Sequence, residues 1–309
     1  MGERLEEKGA KKDIEIMAIL GPTASGKSAL ALEIAEKIDA EIFSLDSLSI
    51  YQEINIAAAK PSVEELGRIK HYGINELTIN EHNNAQIFKS LLETAIKQTA
   101  KKTLLIVGGS SFYLKSIIEG LSEMPMLCEK EKQSVQQRID ECLQSQNPHA
   151  FLAQIDPLYA KNIANNDTYR LQKALEIFFA TATPPSVYFQ NHPKKPFAYP
   201  IKIYAIAIAK EILKEKIYER TQKMLQMGLV DEIASLLKTY KRDCQPFKAI
   251  GPKECIAYLD GHMDLKELQN TICTHTTQLA KRQSTFNRTQ FQDISHLSAK
   301  EIFDRVVMR

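Results

Sequence analysis

The sequence predicts an α/β fold: a parallel sheet with helices on both faces, plus a purely helical segment inserted between two of its strands. Three observations lead there. Residues 14–20, 41–45, 103–107 and 201–208 are apolar stretches of strand length. Helical periodicity separates them, as the crossovers of a parallel sheet require. The run GPTASGKS follows the first strand directly and leads into a helix, the context in which a glycine-rich loop cradles phosphate.

Residues 1–13 are charged and aperiodic and are expected to form a disordered tail. The first strand, residues 14–20, delivers the chain into Gly21, Pro22, Thr23, Ala24, Ser25, Gly26, Lys27 and Ser28, which fit the phosphate-loop pattern G-x-x-x-x-G-K-[ST]. Beyond them Leu30, Leu32, Ile34, Ala35 and Ile38 recur at helical spacing. In such a loop the backbone N–H groups point inward and the helix adds the positive end of its dipole. All eight residues are candidate phosphate ligands, with Lys27 neutralising charge and Ser28 reaching a magnesium ion. Nucleotides, pyrophosphates and phosphorylated metabolites fit this cradle equally well.

After the second strand comes SLDSLSIYQ, residues 44–52, and then AAAKPS, residues 57–62. Asp46, at a strand end, can hold magnesium through water, act as a general base, or cap the next helix. The third strand ends in VGGSSFYLKSIIEGL, residues 107–121, where paired glycines let backbone approach a ligand and Ser110 offers a hydroxyl. A glycine helix start capped by Ser110 or Ser111 explains that stretch as well. Gly21, Asp46 and Gly108 to Ser110 all lie just past strand ends, so a parallel sheet gathers them on one rim.

Between residues 121 and 200 the texture changes. Residues 129–143, 148–153 and 169–180 read as helices, and the stretch closes on Pro184, Pro185, Pro193 and Pro196. This is the expected helical insertion, hinged at Gly120 and Leu121. The core is then expected over residues 14–120 and 201–309, the last part helical over 212–227, 230–240, 248–259 and 265–288.

At 309 residues the chain supports one large domain or two modest ones. A net charge of +2 announces no polyanion partner, but basic residues outnumber acidic ones after Ile201, which permits nucleic-acid binding. Cys128, Cys142, Cys244, Cys255 and Cys273 lack the close spacing of zinc sites or disulfide frameworks. No run approaches membrane-spanning length and no signal-peptide order is present, so a cytoplasmic, monomeric protein is expected.

Taken together and in order, the blocks resemble one family, the tRNA dimethylallyltransferases, also called tRNA isopentenyltransferases. The resemblance is carried by GPTASGKS, by Asp46 and Ser47 with Tyr51 and the trailing Ala59-Lys60-Pro61, and by GGSSFY with EGL. Further along, NNDTYRLQKALEIF (residues 165–178), KAIGPKE and TTQLAKRQSTFNR (residues 276–288) are similar to its remaining blocks. The likeness runs from Ile14 to about Arg288. Six blocks in order are highly specific, and a chain ending at Arg309 without zinc-finger spacing is similar to the compact bacterial type.

The resemblance implies a kinase-like phosphate-loop sheet with an insertion embracing the anticodon stem-loop. It implies transfer of a dimethylallyl group from dimethylallyl diphosphate to the N6 amine of the adenosine at tRNA position 37, beside the anticodon, with loss of pyrophosphate. Asp46 matches the family's general base; Lys27 and Arg220, with Mg2+ held by Ser28 and Ser110, match its pyrophosphate-stabilising groups. Asp46, Ser47, Leu48, Ser49 and Ser110 match positions at the target nucleotide. Tyr169, Arg170, Leu171, Gln172, Lys173, then Lys281, Arg282, Gln283, and more loosely Lys132, match tRNA contacts.

The chain departs from the pattern in several places. Ala57-Ala58 stand where Gly-Thr is usual and Ser110 where threonine is. His71-Tyr72-Gly73-Ile74-Asn75 stands for a block H-x-L-[IL]-D, with no proline after it and with Asn83 where tyrosine is common. Pro252 stands where an aromatic residue follows Ile-Gly. Three other activities share the loop. A small-molecule kinase carries an arginine-bearing lid, which is not evident here. A nucleotide-driven nucleic-acid switch needs an acidic strand end, which residues 41–46 imitate, but Gly-Gly-Ser ends the third strand. A prenyltransferase of free adenine nucleotides shares the loop and the aspartate; the insertion and the basic C-terminal third favour tRNA.

Overall fold

A computed structural model describes residues 13–144 and 147–308. Apart from Asp13, the expected N-terminal tail lies outside the described residues. The chain divides into two compact units, Met1–Ile118 with Ala198–Arg309, and Glu119–Phe197.

The first unit opens with β1 (Glu15–Leu20), α1 (Lys27–Ile38), β2 (Glu41–Leu45), α2 (Val63–Arg68), β3 (His71–Tyr72), α3 (Ala85–Gln98), β4 (Thr103–Gly108) and α4 (Ser111–Glu119). The second holds α5 (Glu129–Leu143), α6 (Pro148–Ile155), α7 (Pro157–Ala160), α8 (Thr168–Thr181) and α9 (Pro185–Asn191). The chain then returns with β5 (Ile201–Ile206), α10 (Lys210–Gln226), α11 (Leu229–Leu236), α12 (Pro252–Leu259), α13 (Leu265–Gln290), β6 (Ile294–Leu297) and α14 (Ala299–Val307).

The strands form one sheet in the order β3-β2-β4-β1-β5-β6, and every pairing is parallel. Its central strands are buried on both faces, which is why they read as continuous apolar runs. Met17 and Ile19 face α1 and α14, which contribute Leu30, Ile34, Ile302 and Val306 to one core. Ile16, Ala18 and Leu20, equally buried, alternate to the other face.

The register positions the site. Leu20 of β1 and Leu45 of β2 both pair with Gly108 of β4, so three strands end at one level. Gly108 permits this: a Cβ there would lie 2.0 Å from the Leu45 carbonyl oxygen.

The sequence expectation for the fourth strand, 201–208, runs too far, since β5 ends at Ile206 and Ala209 already caps α10. The edge strands β3 and β6 went unforeseen because two and four residues are too short to show a period. The helix expected from residue 248 starts instead at Pro252, which takes a first-turn position, behind a 3-10 turn at Gln245–Lys248. Among the described residues no helix is long and apolar enough to cross a membrane.

In the second unit, Val135, Ile139, Leu152, Leu171, Ala174 and Leu175 form a separate core. Proline enters the first turn of α6, α7 and α9, and Asn147, Asp156 and Asp167 cap α6, α7 and α8.

Substituting Gly108→Ala should destabilise the first unit by about 3 kcal/mol, because backbone cannot yield as a flexible side chain does. Urea unfolding followed by circular dichroism measures this.

Candidate active site

The phosphate loop leaves β1 at Gly21 and turns through two left-handed residues, Ala24 (φ 64) and Gly26 (φ 86), before α1 starts at Lys27. Helix α1 has no side-chain cap and no acidic residue in its first turn. Its leading amides are therefore open to an anion.

Asp46 leaves β2 beside the loop. Its Oδ1 accepts from the amides of Leu48 (2.9 Å) and Ser49 (3.1 Å). The capping role open from sequence is real, but it applies to a turn, since no helix follows until α2. Oδ2 has no hydrogen-bond partner among the described residues, which leaves one oxygen for chemistry.

Lys27, Asp46 and Arg220 line a common chamber of about 410 Å³. Burial pushes the Lys27 ammonium down to about 8; Asp46 works against that shift and Arg220 with it. The Arg220 guanidinium is also lowered by burial, opposed by Asp46. Two partly desolvated cations thus face one carboxylate. That imbalance suits a bound anion.

Thr23, Ser47, Leu48, Ser110, Arg282 and Gln283 line the same chamber. Ser28 and Ser49 line a smaller hollow of about 70 Å³ that also meets Lys27, Asp46 and Arg220. Among the described residues no three His, Cys, Asp or Glu side chains cluster as a metal site. The Ser28 and Ser110 hydroxyls are oxygen donors of the kind a hard divalent ion takes when it draws its other ligands from phosphate and water.

Gln283, expected from the resemblance as an RNA contact, also makes two hydrogen bonds within the protein. Its Oε1 accepts from the Thr23 amide (2.9 Å) and its Nε2 donates to the Gly109 carbonyl (3.0 Å). Both halves of the amide tie α13 to the phosphate loop and to the end of β4. Gly109 leaves room for it, as a Cβ there would stand 2.5 Å from Nε2.

The segment after Asp46 is held from outside. Glu232 of α11 accepts from the amides of Asn55 and Ile56 (both 2.8 Å) and Ala57 (2.9 Å). Lys60 donates to the Tyr51 carbonyl and Asn75 Oδ1, both at 2.6 Å. These contacts place Ala57 and Ala58 in the chamber wall, with no hydroxyl at the position where threonine is usual.

Several wall residues were missed from sequence. Phe112, Tyr113, Met224, Thr276 and Phe286 line the chamber, and Phe112 meets Phe286 edge to face at 6.3 Å. The signal was present in SSFYLK and STFNR, where aromatic residues adjoin polar blocks. Phe112 remains 59 % exposed, as a rim residue does.

The remaining expected RNA contacts fall on helix surfaces. Lys281 is exposed on α13. In the second unit Tyr169 is exposed, Arg170 pairs with Asp167, and Lys173 pairs with Glu176 next to half-buried Gln172. Leu171 corrects the expectation: at 2 % exposure it faces the core of its own unit, because α8 is amphipathic. Lys132 is exposed on α5 and paired with Glu129.

A parallel sheet, an anion loop at the strand ends and a chamber walled by apolar and aromatic groups define a phosphate-loop group-transfer protein. Comparison with known proteins narrows the class. The family model described as IPP transferase matches residues 49–290. The tRNA dimethylallyltransferase of Helicobacter pylori (strain ATCC 700392 / 26695) is 54% identical over 288 residues, 93% of this chain and 92% of that protein. Its namesake from Wolinella succinogenes is 48% identical over 95% of this chain and 98% of its own length. The crystal structure of a tRNA delta(2)-isopentenylpyrophosphate transferase from Staphylococcus epidermidis superposes with a TM-score of 0.67 at 28% identity, over 96% of this chain and 98% of that one. The chain belongs to the tRNA dimethylallyltransferase family.

Two outcomes follow from this geometry. Pyrophosphate affinity should be full below pH 8 and weaken as pH rises above about 8, where free Lys27 loses its proton; calorimetric titration from pH 6.5 to 9.5 reads this. Gln283→Ala should weaken pyrophosphate binding about tenfold by releasing the Thr23 amide, which calorimetric titration measures.

Proposed function

We propose that this enzyme transfers the dimethylallyl group of dimethylallyl diphosphate to the N6 amine of the adenosine at tRNA position 37, releasing pyrophosphate. Prenylation of tRNA is the activity that its family carries. One observation carries the residue-level reading: the phosphate loop and the free oxygen of Asp46 open into a chamber whose far wall is apolar and aromatic. Such a wall suits an isoprenoid chain and a flat base.

The chemistry divides among this chain's residues as follows. The amine nitrogen attacks the first carbon of the dimethylallyl group, and the bond from that carbon to the diphosphate oxygen breaks, its electron pair leaving with pyrophosphate. Lys27, Arg220 and the loop amides stabilise the growing negative charge, as preorganised donors do where charge develops. Asp46 Oδ2 accepts the amine proton. The chamber excludes water from the allylic carbon and holds the amine in line with it. Mg2+, held by Ser28, Ser110 and the diphosphate, would add a positive charge at the leaving group. The adenine has to leave its stack to reach Asp46, as bases modified by enzymes commonly do.

Ser47 and Leu48 in the chamber wall and Arg282 at its edge contact the incoming nucleotide in this reading. Lys281, Tyr169, Arg170, Gln172, Lys173 and Lys132 offer polar groups to the surrounding RNA, and the helical unit embraces the anticodon stem-loop. With tRNA as substrate, the enzyme works in the cytoplasm.

Incubation with labelled dimethylallyl diphosphate, Mg2+ and unmodified tRNA should place label on the anticodon-loop adenosine. Label on free adenine nucleotides alone, or ATP-dependent phosphoryl transfer without a prenyl donor, would overturn the reading. Asp46→Ala should lower kcat about a hundredfold or more.

A further inference from the structure

Behind the chamber wall lies a buried polar cluster that the reaction as described does not use. Asn83, which stands immediately before the cap of α3 and where the family pattern has tyrosine, is 5 % exposed. Its Nδ2 donates to the Ser47 carbonyl at 2.9 Å and to the Tyr51 hydroxyl at 3.1 Å. Its Oδ1 accepts from the Tyr113 hydroxyl at 2.9 Å. Gln245 clamps the Asn83 backbone, accepting from its N–H at 2.7 Å and donating to its carbonyl at 3.2 Å. The Tyr51 hydroxyl closes the cluster on Gln245 Oε1 at 3.0 Å.

Two of these partners face the chamber. Ser47 follows Asp46 in the turn that presents the carboxylate, and Tyr113 belongs to the aromatic wall. The amide donates two hydrogen bonds and accepts a third, which a serine or threonine hydroxyl with its single proton cannot do. An aspartate would set a second acceptor against the Ser47 carbonyl. A leucine would leave buried partners unpaired on both sides.

We propose that Asn83 is a positioning residue for the acceptor: it fixes the spacing between the Asp46–Ser47 turn and the Tyr113 ring, and so where the adenosine lies against Asp46. The inference rests on the prenyl-transfer reading. Among the described residues Asn83 makes no hydrogen bond to the phosphate loop or to Arg220, so its effect is expected on the acceptor and not on the diphosphate.

Steady-state kinetics of Asn83→Asp, Tyr113→Phe and the double variant, each varied in tRNA and in dimethylallyl diphosphate, test this. Each single change should lower kcat/KM for tRNA about tenfold, the scale of one buried hydrogen bond lost. The KM for the diphosphate and the affinity for pyrophosphate should stay within about twofold, and the double variant should lose less than the product of the singles. Unchanged tRNA kinetics, or a diphosphate KM or pyrophosphate affinity weakened as much as the tRNA kcat/KM, overturn the proposal. If Asn83→Asp fails to fold, Tyr113→Phe decides alone, by the same split. Wild-type enzyme that does not prenylate tRNA overturns the functional reading, and this inference falls with it.

Discussion

The site depends on one constraint: β1, β4 and β2 run parallel and end in register at Leu20, Gly108 and Leu45. Contact between β4 and the Leu45 carbonyl is so close that a methyl group on Gly108 has no room. Because the ends align, the phosphate loop, Asp46 and the Gly109-Ser110 pair leave the sheet as neighbours. A slip of one residue would point each of them at the opposite face.

What the rim assembles is an electrostatic imbalance. Lys27 and Arg220 are both desolvated, and Asp46, the carboxylate that opposes both shifts, has one oxygen already engaged by the turn amides. Charge left unpaired in a half-buried chamber is costly until a counter-ion arrives. In the proposed reaction a diphosphate would relieve it, and the same groups would become more favourable still as the leaving group gathers charge. The cradle that elsewhere serves phosphoryl transfer is thereby suited to alkyl transfer, the difference lying in the apolar wall opposite.

Precision in such a chamber comes from side chains whose hydrogen bonds are made within the protein. Gln283 ties the loop to the end of β4, Glu232 collects three amides of the segment after Asp46, and Asn83 joins the Asp46 turn to the aromatic wall. Each uses a buried or half-buried polar side chain with its hydrogen-bonding capacity met inside the protein. Such contacts are worth more in low dielectric than at the surface, and they set geometry as well as stability.

The amino-acid sequence by itself determined the central strands, the phosphate loop and the placement of Asp46 at a strand end, because each is written in a local period or spacing. The order of the sheet, its two short edge strands and the division of work around the loop were decided only by tertiary structure. Thr23 and Gln283 lie 260 residues apart and meet through the packing of α13, which no local pattern encodes. Asp46 capping a turn, Leu171 turning into a core and Asn83 reaching three partners likewise follow from which faces are covered. Local residue pattern specifies what each segment is; the burial of its neighbours specifies what each side chain is for.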